Sequence, residues 1–245
     1  DRYVATINLM SRDTWVFIFL TAAIMPLTLY GINRSTNTLE VQNAPSWVTT
    51  NLLERVVDRI QNKLEWDIRK IPVYWYSDSA EFTKKHGYDE SVLAFANRKD
   101  NSVHVGPRVT RDNFETVFGH ELVHIILYQK YKGAIPTWLE EGLANYIAKH
   151  GKVDYIWLGR QSIPDVHTFA HPYRALSQNL GFSPRFSYMA GTAVMEMIAS
   201  HCSVSDLLQL SVGKNLENYL STYCGISDLN LAFKAWLARQ KGRKS

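Results

Sequence analysis

One stretch constrains this chain more than any other: Val117-Phe118-Gly119-His120-Glu121-Leu122-Val123-His124-Ile125-Ile126. Two histidines four residues apart stand one helical turn apart on the same face, so both imidazoles reach a single cation. Glu121 lies close to that face, where it can take a proton from a water on the metal and pass it to a leaving amine. The surrounding residues Phe114, Val117, Phe118, Leu122, Val123, Ile125 and Ile126 recur at mixed three- and four-residue spacings, which predicts a largely buried helix. Asp112 with Glu115 three residues on reads as a capping box at its start. Gly133 reads as its stop, with Lys130 and Lys132 near the negative end of the dipole.

A third ligand is expected from a second helix that follows closely, Pro136-Thr137-Trp138-Leu139-Glu140-Glu141-Gly142-Leu143-Ala144-Asn145-Tyr146. Thr137 is a good N-cap residue and Glu140 sits at the capping-box position, which leaves Glu141 for the metal. Periodicity alone leaves the choice between Glu140 and Glu141 open. Leu139, Leu143, Tyr146 and Ile147 mark the core stripe, and neither glutamate lies squarely in it. Either would also serve as a solvated helix-start carboxylate favoured by the dipole. Two histidines and one glutamate leave the fourth position of a tetrahedral Zn2+ open for water, the pattern of a catalytic site rather than a structural one. Asn145, one turn below Glu141, is placed to hydrogen-bond the outer nitrogen of a ligating histidine.

These residues carry a family likeness. His120-Glu121-x-x-His124 followed by Pro136-x-Trp138-Leu139-x-Glu141-Gly142-Leu143-Ala144-x-Tyr146 resembles the gluzincin metallopeptidases, and most of all the bacterial peptidase MA-like group. The core of the resemblance covers residues 114–148, with a looser likeness through Tyr188 and Gly225-Ile226-Ser227. It implies Zn2+ as cofactor, Glu141 as third ligand, and an extended peptide or protein substrate paired with the last strand of a small sheet. Gluzincins often carry Asp four residues after the ligand Glu. Asn145 stands there in this chain, which keeps a supporting role but weakens its charge. Such enzymes also often place a Tyr on the helix after the metal pair, and Tyr188 matches that position. A phenol there would stabilise the oxyanion of peptide hydrolysis; a ring in the core with its hydroxyl at the surface is the plainer alternative.

The flanking sequence reads as an α+β, zincin-like domain: a small sheet, then a mainly helical C-terminal half, preceded by an N-terminal hydrophobic helix. The chain's 245 residues suit one large domain, or one with an appendage. Residues 1–33 are expected to be an N-terminal segment, 34–46 a polar linker and 47–245 the metallopeptidase domain. Residues 47–69 carry an amphipathic helical pattern, and residues 71–76, 92–96 and 102–105 read as short strands. His104 reads as a half-buried strand residue. His86 and His150 read as surface residues, and His167 and His171 as loop histidines. A helical piece is expected at 173–179. Further helices are expected at 188–200, 204–210, 216–223 and 229–237. Tyr146 and His201 are weaker alternatives to Tyr188.

Residues 14–33 carry no charged side chain, and that length suffices to span a bilayer as a helix. Trp15 and Tyr30 would sit at the two interfaces. A signal-anchor, a cleaved signal peptide and a buried core helix compete here. A membrane anchor or uncleaved signal is expected, with the catalytic part outside the cytoplasm. The two cysteines, Cys202 and Cys224, are too few for a zinc ribbon and fit one disulfide in that compartment. The net charge of +4 is mild and dispersed apart from the tail after Ala238, so no nucleic-acid partner is expected. Three functions stay open: a zinc metallopeptidase, a catalytically silent membrane-anchored binding or scaffold protein of the same fold, and a zinc hydrolase of cell-wall peptides.

Overall fold

The computed structural model describes residues 31–88, 90–169, 183–210 and 216–241. They belong to one compact unit, Gly31–Ser245. The apolar run up to Tyr30, the helical piece at 173–179, and His171 lie outside them. Among the described residues no helix is long and apolar enough to cross a membrane.

The architecture is α+β. Five short strands form one mixed sheet in the order β1-β2-β3-β5-β4, and the rest is mostly helical. Strands β1 (Ile32–Ser35) and β2 (Leu39–Ala44) pair antiparallel, and β2 runs parallel to β3 (Ile71–Trp75). β5 (Ser102–Val105) joins β3 in parallel, and β4 (Ala94–Asn97) closes the sheet antiparallel to β5. The polar stretch 34–46 is therefore not a linker, and the N-terminal segment does not extend to residue 33. Leu39 and Val41 face the core and alternate with Glu40 and Gln42, which face water; at Asn43, whose φ is 59°, the alternation breaks and Ala44 turns inward. A strand with polar residues on one face reads as loop when counted by composition.

Helix α1 (Thr50–Leu64) makes the crossover from β2 to β3. Thr49 caps it by accepting from the Leu52 amide, and Leu53, Val56, Val57, Ile60 and Leu64 form its buried stripe. Each such side chain removed from water contributes about 1.5–3 kcal/mol, so the stripe together outweighs a cap worth about 1 kcal/mol. The helix stops at Glu65, which takes the left-handed conformation, four residues before the expected end at 69. A short helix α2 (Ser79–His86), capped by Asp78, precedes β4.

Helix α3 (Phe114–Tyr131) is buried almost all round, between α1, the β4–β5 edge and α4 (Thr137–Ala148). Neither expected capping box forms. At α3 the N-cap position belongs to Asn113, whose side chain accepts from the Thr110 amide in the preceding turn, and Glu115 pairs with Arg55 at 2.8 Å. At α4 Pro136 holds the N-cap position and Thr137 is already helical. Arg59 of α1 ties the two helices, donating to the Glu115 and Ala148 carbonyls.

Beyond α4 come the short α5 (Tyr155–Leu158), a 3-10 turn at Val166–Thr168, and α6 (Pro184–Ala199). Helix α6 begins a turn earlier than the apolar pattern alone indicates. Ser183 caps it and Pro184 occupies its first turn, a start signal that the hydrophobic spacing does not register. Its backbone touches that of α4: a Cβ on Gly142 would lie 2.1 Å from the Gly191 carbonyl oxygen. Helices α7 (Val204–Leu210), α8 (Leu216–Tyr223) and α9 (Leu229–Lys241) complete the domain. A Cys202–Cys224 disulfide joins the end of α6 to the end of α8.

Candidate metal centre

Helix α3 presents His120 and His124 one turn apart, with ring centroids 4.8 Å apart. Their Nε2 atoms stand 3.1 Å from each other. From α4, Glu141 brings Oε2 to 3.6 Å from His120 Nε2 and Oε1 to 3.4 Å from His124 Nε2. One ligand atom from each of the three residues lies within 4.8 Å of the others, and all three residues are buried. This group can hold a metal ion. The donor set fits one: two imidazole lone pairs facing each other in a buried site repel unless a proton or cation lies between them. A tetrahedral cation with Zn–N near 2.0–2.1 Å would set those nitrogens about 3.3 Å apart, close to their separation here.

The electrostatics point the same way. Burial alone would lower the His124 pKa, but Glu141 and the hydrogen bond and charge of Glu140 overcome it and raise the value to about 9. The proton held there is what a metal would displace. Burial would raise the Glu140 carboxyl, yet His124 and the Arg98 guanidinium hold it below the usual carboxylate range.

Glu140 does not cap α4. Its Oε1 accepts the Nδ1–H of His124 at 2.8 Å and also bonds Arg98, which follows β4. Two charge-assisted partners outcompete a backbone amide. With Nδ1 protonated, the Nε2 lone pair of His124 faces the site. The outer-nitrogen role expected of Asn145 thus falls to Glu140. Asn145 instead donates to Thr192 Oγ1 at 3.0 Å, and Thr192 donates in turn to the Tyr188 carbonyl at 2.7 Å. It links α4 to α6 and hydrogen-bonds neither histidine.

Glu121 is buried beside the two imidazoles. Burial raises its carboxyl pKa; His120 and His124 oppose the rise, Glu141 adds to it, and the Ala96 amide of β4 hydrogen-bonds the carboxylate. Tyr188, on the first half of α6, lines the same cleft with its ring centroid 6.3 Å from that of His120. The cleft, about 480 Å3, has β4 along one wall and His120, Glu121, His124 and Glu141 at its floor.

Two residues near the site were not singled out by the sequence. Arg98 had no local signal, since its partner Glu140 is 42 residues away. His150, expected at the surface, lies with its ring 5.4 Å from His120 and lines a side recess with Tyr188. Burial and His120, against Glu141, push its pKa down to about 4. The signal available was its position just past the end of α4, the helix that carries Glu141. The other histidines stand apart from the metal group. His104 is enclosed in β5, bonded to Tyr76 and Ser102 and stacked on Phe95. His86 stacks on Tyr88 and packs edge-on against Phe82 and Phe95. His167 pairs with Asp165 and Glu217 at the surface, and His201 is exposed at the end of α6. Tyr146 faces away from the cleft, beside a separate cavity behind α4.

No protein-family model matches the chain, and no curated protein matches it in sequence.

Proposed function

We propose that the protein is a zincin-like, zinc-dependent peptidase. The observation that carries this reading is the convergence of His120, His124 and Glu141 at the floor of an open cleft, with a fourth buried side chain, Glu121, placed beside them as a base. His120, His124 and Glu141 would hold the ion, and bound zinc supplies Lewis acidity and a water of lowered pKa.

This chain's own residues do the rest. The last strand, β5, expected to pair with substrate, has β3 on one side and β4 on the other, so the edge strand β4 would offer main-chain groups to an extended peptide in its place. Gly106 donates to the Leu93 carbonyl, so alternation turns the amides and carbonyls of Ala94 and Ala96 away from β5 and towards the cleft. Glu121, held by one of those amides, accepts a proton from the attacking water and returns it to the leaving amine. Tyr188 donates to the carbonyl oxygen as negative charge develops on it. Glu140 and Arg98 keep His124 oriented. The disulfide fits the proposed location outside the cytoplasm, and residues 14–33 would be the membrane attachment.

The test is a pair of variants with metal analysis. Glu121→Gln should keep a full equivalent of zinc and lose peptide hydrolysis, while His124→Ala should lose both. Full activity in Glu121→Gln, or wild-type hydrolysis that a chelator leaves untouched, defeats the reading.

A further inference from the structure

Given the peptidase reading, on which this step rests, we infer that the cleft selects peptides carrying a carboxylate close to the scissile bond. The carboxylates lining the cleft all lie at its floor and are engaged there. Glu141 faces the two histidines, Glu140 is held by Arg98 and His124, and Glu121 by the Ala96 amide. The charges nearer the mouth have the opposite sign. Lys85 comes from the last turn of α2, and Lys99 follows Arg98 at the end of β4. Both lysines are exposed, and among the described residues no carboxylate lies within ion-pair distance of either. The nearest acid in sequence, Asp100, turns away to accept from Ser102 and Asn97.

A peptide extended along β4 would therefore run past ammonium groups that form no ion pair among the described residues. Exposed cations on the rim of a cleft whose carboxylates are engaged deeper in concentrate anions there, and a basic peptide meets direct repulsion. The carboxylate has two possible sources, an Asp or Glu side chain and a free C-terminus.

The experiment uses the full chain carrying Glu121→Gln, loaded with zinc, and reads peptide binding by fluorescence anisotropy. Three terminally blocked peptides differ only in Asp/Glu, Ala or Lys flanking a common apolar centre; a fourth is the Ala peptide with its C-terminal carboxylate free. The acidic blocked peptide should bind about tenfold more tightly than the basic one, and 0.5 M salt should erase most of the gap. Lys85→Glu with Lys99→Glu should invert the order. Because both side chains are exposed, an unchanged melting temperature is expected to show the fold intact. A gain confined to the free-carboxylate peptide assigns the preference to a substrate C-terminus. Equal binding of all four, or a basic preference, overturns the inference, and does so whether or not the wild type hydrolyses peptides. Hydrolysis without charge preference would leave the peptidase reading standing, whereas acidic preference without hydrolysis would remove that reading and keep the charge selectivity.

Discussion

His124 and Glu140, sixteen residues apart on two different helices, are joined at 2.8 Å by Nδ1–H donating to Oε1. That bond fixes the tautomer that leaves Nε2 open towards His120 and Glu141. Partners of this kind are typically worth about 10–100-fold in metal affinity. Glu140→Gln should therefore weaken zinc binding by about that factor, and Glu141→Ala by more, in competition with a chromogenic chelator. A larger loss in Glu140→Gln than in Glu141→Ala would reverse the roles given to the two glutamates, and no loss would remove the role of Glu140.

Zinc binding should release protons. In the metal-free site His124 has its pKa raised to about 9, so at pH 7 it carries a proton that a metal must displace. Calorimetry at pH 7 in two buffers of different ionisation enthalpy should give different apparent heats, and affinity should climb as pH rises towards 9. The same shift has a stability sign. A histidine whose folded pKa exceeds its unfolded value stabilises the metal-free protein fully below about pH 6.5, and that contribution is lost as pH rises through about 9. Buffer-independent heats would contradict this.

Gly142→Ala should destabilise, although alanine is the better helix former by about 1 kcal/mol. The new Cβ would meet the Gly191 carbonyl oxygen, a backbone atom that cannot swing aside. Overpacking costs about 1–3 kcal/mol or more and wins. Chemical denaturation should show a net loss, and zinc affinity should fall with it, because Glu141 is the neighbouring residue. A stabilised variant would mean that α4 and α6 can separate without cost.

The Cys202–Cys224 bridge closes a separation of 22 residues. The chain-entropy model gives about 3 kcal/mol for a loop of that size. The double variant Cys202→Ala/Cys224→Ala should lose stability of that order, and wild type should show free thiols only after reduction. Two thiols titrating without reductant would remove the bridge, and with it the support for an oxidising compartment.

Acid should destabilise the fold through His104, alongside His150, whose pKa is pushed down as far. Burial and the nearby Lys85 lower the pKa of His104 to about 4, so between pH 6.5 and 4 the unfolded chain binds a proton that the native ring refuses. Stability must fall as pH drops through that window and then level off. His104→Phe keeps the stacking on Phe95 and Tyr74 and should show a smaller loss between pH 7 and pH 4.5. An unchanged loss would place the acid sensitivity elsewhere.

The metal helix was legible from residues alone because histidines at i and i+4 and an apolar surround are local patterns, and a helix presents them unchanged. The same holds for α1 and for the last three helices, whose spacings survive folding almost intact. What local pattern missed depends on partners far away in the chain. Glu140 looked like a cap because its own segment offers backbone amides, but Arg98 and His124 arrive from other elements. Residues 34–46 looked like a linker because β2 is held in the sheet by β3, a parallel partner that the local pattern does not reveal. Asn145 sits one turn from Glu141, yet the crossing of α6 hands it Thr192 in place of an imidazole.

The hydrogen bond from the Ala96 amide to Glu121 has a consequence for timing. Ala96 belongs to the sheet margin on which an incoming chain would lie, so on the peptidase reading docking and proton transfer would share a mechanical joint. A ligand that shifts this margin by a fraction of an ångström re-aims the carboxylate as it settles. Short peptides that fail to engage the strand would then turn over slowly even when they bind.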